Sequence, residues 1–352
     1  MESVNYRTFS REEFDAGVWG QMRRVALAGN GQVVGIHDKD NTNKWEDGTS
    51  VNWTEYEANG WNCMVQIPKF YYKARRGEHN GLDTYRLEIS NNPQDGFKVH
   101  PAFEREEGIV ENYQYMSAFE GWIDPQGRLR SLAGKTPAAN LILSYFRKAA
   151  FLNGDHFTQQ DFYLTSAIQM LYLVEYGDFD AQKKLYGRVN STAVGSTGYS
   201  RGLGNKSFGD SSYMSYRGIE NFYGNIYKLI DGIDLRDGSL YASKNNYHDL
   251  DDYAFVGDVP SKGISGTTGT TSGYWNDIYF SENSDFCFIP KYTSSFPSLT
   301  NTYYTSGKGY RILGYGGDYS SRYKAGIFSW SEYQLLSAKD TKIGARLQYI
   351  KS

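Results

Sequence analysis

A chain of 352 residues can bury a large core, and length alone allows one to three domains. The net charge of -3 argues against a nucleic-acid or anionic-membrane partner, and no stretch nears the ~18 consecutive apolar residues of a spanning helix. Only 39% of residues are hydrophobic, yet 16% are aromatic, with 31 Tyr and 38 Gly against 8 Pro, a balance that predicts a β- and loop-rich globular protein and excludes a disordered one. The amino-terminal stretch lacks the apolar segment of a secretory signal, so neither secretion nor membrane insertion is expected. Cys63 and Cys287 lie in apolar, strand-like contexts and read as buried inert thiols, not as a disulfide framework or metal site.

In chain order, Ser10 and Glu13 form a capping-box pattern that predicts a short helix fading near Gly17. Residues 33–62 are polar and loop-rich, with Asp38, Asp40 and Asp47 among Trp45, Trp53 and Trp61. Residues 63–73 read as a strand interrupted by Pro68, placed at an edge or bulge. Short strands follow at 84–90 and 109–120, with a turn or strand start at His100 and Pro101. A helix is predicted over 137–152, with Pro137 in its first turn. A second is predicted over 165–176, with Thr165 as N-cap, Gly177 as C-cap, and Ile168, Leu171, Tyr172 and Glu175 on one face. Beyond residue 187 helical periodicity stops. Strands are expected near 226–230, 239–243, 253–257, 277–281, 286–291, 310–315, 324–329 and 342–350, with Gly/Ser/Thr-rich loops at 190–212 and 261–273. These elements predict one α+β domain.

Residues 216–233 carry a polar cluster, Arg217, Glu220, Asn221 and Asn225, which runs into an apolar strand around Lys228 and ends on an Asp231-Gly232 turn signal. Buried beside apolar residues, such a cluster must be fully hydrogen-bonded, so it is expected to be a structural network and not a catalytic site. The five histidines have no metal-ligand spacing, and His100 reads as a packed or capping residue. Residues 248–252 could offer oxygen ligands to calcium but lack the glycine spacing of an EF-hand loop, so a solvated turn is favoured and no cofactor is expected. A depolymerising enzyme would need two carboxylates opposed across a cleft, whereas Glu106 and Glu107 read as a solvated face. Near the C-terminus Tyr303, Tyr304, Tyr310, Tyr315, Tyr319, Tyr323, Trp330 and Tyr333 concentrate aromatic rings beside polar residues, the composition of a recognition surface with about half of them exposed.

Several segments in order resemble one group. VQIPKFYYK at 65–73, HPAF at 100–103 and AIQMLYLVEYG at 167–177 are similar to phage tail or fibre proteins with a C-type-lectin fold. RGIENFYGNIYK at 217–228 resembles that group's signature stretch, with Tyr227 where a Trp is usual; GYRILGYGG at 309–317 and IGARL at 343–347 resemble its closing strands. The fold is shared with formylglycine-generating-enzyme-like domains and with retroelement-diversified receptor-binding proteins. The resemblance implies a C-type-lectin-like domain over 61–352, with two helices packed on twisted antiparallel sheets and long loops, preceded by an N-terminal elaboration over 1–60 that is a candidate virion-docking segment. By position, the ligand-contacting sites would fall on Tyr315, Asp318, Tyr319, Ser320, Phe328, Ser329, Trp330, Glu332 and Tyr333.

The resemblance further implies a non-enzymatic virion protein, made in the host cytoplasm and displayed on a phage tail, fibre or capsid surface. It would attach to a host cell-surface glycan or protein, contact other virion proteins and form a homo-oligomer. The alternative is a capsid-decoration or baseplate protein that contacts only virion partners. The reactive cysteine pair of the formylglycine-generating relatives has no counterpart, because no cysteine follows Cys287. The Glu-Pro-Asn calcium loop of sugar-binding lectins is also missing.

Overall fold

The computed structural model describes residues 2–3, 10–79, 82–245, 247, 252–258, 271–281, 283–294, 302–305 and 309–351. The first helix, α1 (Arg11–Ala16), opens on the expected capping box: Ser10 Oγ accepts from Glu13 N at 3.2 Å and Glu13 Oε2 accepts from Ser10 N at 2.8 Å. Strands β1 (Arg23–Leu27) and β2 (Val33–Ile36), helix α2 (Trp53–Ala58), and strands β3 (Asn62–Pro68), β4 (Tyr71–His79), β5 (Leu82–Ser90) and β6 (Tyr113–Ser117) follow. Then come α3 (Leu143–Phe151), β7 (Phe157–Gln159) and α4 (Phe162–Tyr176). The second half is β8 (Tyr227–Arg236), β9 (Ser239–Ala242), β10 (Ala254–Asp258), β11 (Thr271–Ile278), β12 (Pro290–Ser294), β13 (Thr302–Thr305), β14 (Tyr310–Tyr315), β15 (Trp330–Gln334) and β16 (Leu347–Tyr349).

These form an α+β architecture, mostly sheet with few helices. One sheet has the order β7-β16-β6-β3-β1-β2, so the last strand of the chain lies between two early ones. A second runs β10-β9-β8-β14-β15-β13-β11-β12, with Ile343–Gly344 added to β8. The β4-β5 hairpin makes a third, small sheet with Glu2–Ser3 and Lys98–Val99. Helix α4 is buried over 14 of its 15 residues, so apolar side chains on every face are needed and the one-sided pattern expected there is too narrow.

Several boundaries differ from expectation for identifiable reasons. Helix α4 begins at Phe162 because Asp161, not Thr165, is its N-cap: Asp161 Oδ1 accepts from Leu164 N at 2.8 Å. Gly177 closes it in the left-handed region, at φ 65°, as expected. Helix α3 starts at Leu143, six residues after Pro137, because Ala139 bridges Gly344 and Asn140 sits at φ 61°. The run expected at 63–73 is interrupted after Pro68, as expected, into β3 and β4, but β3 is neither an edge nor a bulged strand, since it pairs with β1 on one side and β6 on the other. The Asp231-Gly232 pair is no turn: it is a bulge inside β8, where pairing with β14 skips from Ile230 to Asp234 and Gly232 adopts φ 69°. The strand expected at 324–329 is found at 330–334, preceded by a 3-10 turn over Arg322–Lys324. Residues on the two sides of position 60 are in contact. β1 pairs with β3 from Arg23↔Gln66 to Leu27↔Asn62, and Trp19 Nε1 donates to Leu171 O at 2.9 Å. Cys63 and Cys287 are free and buried; burial pushes the Cys63 thiol up to about 11 and Cys287 upward as well.

Candidate functional site

The polar cluster of residues 216–233 is built on turns that demand special backbone. Arg217, Asn221 and Asn225 adopt φ of 47°, 48° and 59°, a region Asn tolerates better than most residues. The turns aim side chains inward. Asn221 Nδ2 and Asn225 Nδ2 donate to Glu120 Oε2 at 3.2 and 2.5 Å, and Lys228 Nζ lies 3.1 Å from Glu120 Oε1 while donating to Gly224 O at 2.7 Å. Glu220 accepts from the main-chain amides of Gly198 and Ser200 at 2.7 and 2.6 Å. Arg346 donates to Ser117 O, Glu220 O and Asn221 O at 2.7, 2.5 and 3.0 Å. All six residues are buried, and the network ties β6, β8 and the closing segment together. Burial lowers Lys228 to about 8, with Glu120 opposing the shift.

Arg217 is not brought into this network. Its guanidinium turns to Glu175 on α4 and to Asp15, with Arg11 also on Glu175. Glu120, Lys228 and Arg346 escaped the sequence reading as network members. A lysine inside the apolar run of β8 was the available signal, and Glu120 needed the topology.

The nine expected ligand contacts divide. Tyr315 and Trp330 pair across β14 and β15 with ring centroids 5.1 Å apart, and both point into the core. Trp330 Nε1 donates to Phe288 O at 3.2 Å, while Phe328 packs on Phe179 and Phe288 at 4.8 and 5.3 Å. Ser329 is buried too, and Asp318 spends its buried carboxylate on Ser320 N and Oγ at 2.6 and 2.7 Å. These five side chains are buried: Tyr315 and Trp330 lie on the mid-sheet strands β14 and β15, and Tyr172 of α4 packs against Phe328. Tyr319 is half-buried and Ser320 exposed, so these two reach the surface. The side chains of Glu332 and Tyr333, like those of Tyr303 and Tyr304, lie outside the described residues, as do residues 248–251 and most of the 261–273 loop.

Around Tyr319 and Ser320 the surface gathers Tyr323, one of the aromatic residues expected at a recognition surface, and basic groups that sequence reasoning had not assigned. Tyr323 is 59% exposed and stacks on Tyr274 at 6.2 Å and 26°. Arg322 and Lys324 flank it, exposed, and Lys342 Nζ sits 5.2 Å over the Tyr319 ring while donating to Ser320 Oγ at 2.8 Å. The loop backbone is fastened to the core: Tyr319 N donates to Asn225 O at 3.0 Å, Ser191 N to Tyr319 O at 2.6 Å, and Arg322 N to Val189 O at 2.6 Å. Chemically this is a rigid display of aromatic faces beside cations and hydroxyls.

The histidines deep in the fold behave as packed groups. His100 Nδ1 accepts from Ala102 N at 3.1 Å, and His37 stacks on Trp45 at 4.8 Å; burial lowers each to about 3, so both are neutral near pH 7. Among the described residues no group of three His, Cys, Asp or Glu side chains is placed to hold a metal ion.

No family model matches the chain, and no curated protein matches it. Among solved structures it is similar to "Major Tropism Determinant M1 Variant", at 11% identity and TM-score 0.32, over 80% of this chain and 72% of that one. It is also similar to "Major Tropism Determinant U1 Variant", at 10% identity and TM-score 0.28, over 81% and 73%. Likeness this distant leaves function to be argued from the chain's own residues.

Proposed function

We propose that the protein is a non-enzymatic phage virion component with a C-type-lectin-like domain, which attaches to a host cell-surface glycan or protein through the 318–324 loop and Tyr274. The observation that carries this reading is the pre-organised display just described. Tyr319 and Tyr323 offer aromatic faces on a loop whose main chain is already bonded to Asn225, Val189 and Ser191. Binding through a rigid loop avoids most of the ordering cost that a mobile loop would incur, and tyrosine adds contact area at low entropic cost. The ordered motif resemblance supplies the virion setting.

The test is binding of the purified full chain to intact host cells, beside a Tyr319→Ala, Arg322→Ala, Tyr323→Ala variant. Saturable binding that weakens about tenfold or more in an equally stable variant is expected. Undiminished binding by the variant, or no saturable binding by the parent, would overturn the proposal. The second reading, a capsid-decoration or baseplate protein in a homo-oligomer or virion contact, is favoured by one observation: Tyr145, Phe151 and Leu152 leave apolar surface exposed at α3, with Phe151 62% accessible. Loss of particle assembly with Phe151→Glu, in a chain that shows no saturable cell binding, would support it.

A further inference from the structure

A cleft lies away from the 318–324 loop, where the β2 end of the first sheet meets residues 36–46. Its volume is about 600 Å³, within the range of small-molecule sites. His37 and Trp45 form an antiparallel bridge and their rings stack; His37 lines the cleft, and the neighbours Ile36, Asp38 and Glu46 line it as well. Arg23 and Tyr113 enter from β1 and β6, and Lys39 from the turn.

These walls are fixed. Asn205 N donates to Lys39 O at 2.8 Å, Thr42 N to Arg201 O at 2.7 Å, and Arg24 NH1 to Thr42 Oγ1 at 2.9 Å. Arg23 Nε is held by Gln66 Oε1 at 3.0 Å, and among the described residues its two terminal nitrogens have no acceptor. Among the described residues Lys39 and Glu46 likewise have no ion-pair partner, and Tyr113 is partly exposed. Arg23 and Lys39 therefore line the cleft together with Asp38 and Glu46, and their charges cancel.

We propose that this cleft is a second ligand site, for a neutral, hydroxyl-rich ligand of saccharide type. Each hydroxyl donates one hydrogen bond and accepts others, so it uses carboxylates and cations together. A phosphate or an acidic sugar would satisfy Arg23 and Lys39 but lie against Asp38 and Glu46, a like-charge contact that disfavours it. The Tyr113 ring provides the apolar face on which a sugar ring rests. The site stands independently of the receptor loop.

The test is ligand-observed saturation-transfer NMR with the full chain. The probes are neutral di- and trisaccharides of glucose, galactose, mannose and N-acetylglucosamine, at up to about 10 mM, where even a millimolar Kd registers. Inorganic phosphate and glucuronate serve as anionic comparators. At least one neutral saccharide is expected to bind saturably, about tenfold more weakly in Tyr113→Ala and in Glu46→Gln, and unchanged in Tyr319→Ala with Tyr323→Ala. Both cleft positions are at the surface, so the variants should keep the parent's unfolding transition. No saturable signal from any neutral saccharide, a preference for phosphate or glucuronate, or binding lost only in the loop variant would each overturn the proposal.

Discussion

Replacing Trp330 separates a core role from a ligand role. The indole is 4% exposed, packs on Tyr315 at 5.1 Å and on Phe162 at 6.1 Å, and donates to Phe288 O at 3.2 Å. Truncating a buried Trp to Ala costs about 3–5 kcal/mol, and leaving the Phe288 carbonyl without its donor adds about 1 kcal/mol. Trp330→Ala should therefore lose roughly 4–6 kcal/mol, much of the ~5–15 kcal/mol by which domains are stable. Trp330→Phe keeps a ring against Tyr315 and should lose about 1–2 kcal/mol. The assay is urea unfolding followed by far-UV circular dichroism, reading the midpoint at constant m-value. Tyr323→Ala should stay within ~0.5 kcal/mol of the parent while weakening cell binding. Trp330→Ala within about 1 kcal/mol of the parent would refute the core assignment. Lost cell binding by a stably folded Trp330→Phe would restore the residue as a direct contact.

Acid should destabilise the fold through the buried His37 and His100. His37 and His100 sit at about 3 against an ordinary 6.5, so the unfolded chain binds the extra protons between those values and stability falls as pH drops from 6.5 toward 3, by roughly 2 kcal/mol per histidine between pH 7 and 5. Urea midpoints at the two pH values check this, and a His100→Gln variant should show about half the loss. Lys228 acts at the other end: held at about 8 against 10.5, it makes stability rise with pH across that window, by roughly 2 kcal/mol between pH 8 and 10. That increment should be absent in Lys228→Met, so it remains as a pH dependence of the difference between parent and variant. Asn225→Ala removes donors to Glu120 and Gly195 and the acceptor for Gly195 N, at a left-handed position, and should cost about 3 kcal/mol or more by urea unfolding.

What could be read in advance was local. The Ser10–Glu13 box and the Gly177 cap each involve partners within a turn of one another, so residue order is enough to specify them. The start of α4 was not local. Asp161 takes the cap while its carboxylate also receives Arg105 and the Tyr247 hydroxyl from distant segments, which outweighs the Thr165 signal. Pro137 is a fair first-turn residue, yet the bridge from Ala139 to Gly344 pulls that stretch into an extended path. The same limit applies to Asp231-Gly232, where a turn and a strand bulge share one composition and only the β14 partner distinguishes them.

For the candidate site the difficulty was one of faces. Alternation says that Gly314 and Tyr315 point to opposite sides of β14, but it cannot say which side is covered. Helix α4 decides it: Gln169 Nε2 donates to Ile327 O at 2.8 Å and Tyr172 packs on Phe328, so the aromatic side of 315–330 is the inner one. The half-buried position 319 and the exposed positions 320, 322 and 323 then occur between core positions 315 and 328, on one short loop. The bonds that hold this loop to Asn225, Val189 and Ser191 are all between main-chain groups, which no side-chain replacement removes. Side chains that bond the turn's main chain are Asp318, whose carboxylate accepts from Ser320 N, Ser321, whose Oγ accepts from Asp318 N, and Gln182, whose Nε2 donates to Arg322 O. Tyr319, Arg322 and Tyr323 can therefore be exchanged for other residues at little cost in stability, so the loop's binding chemistry is separable from the fold that presents it.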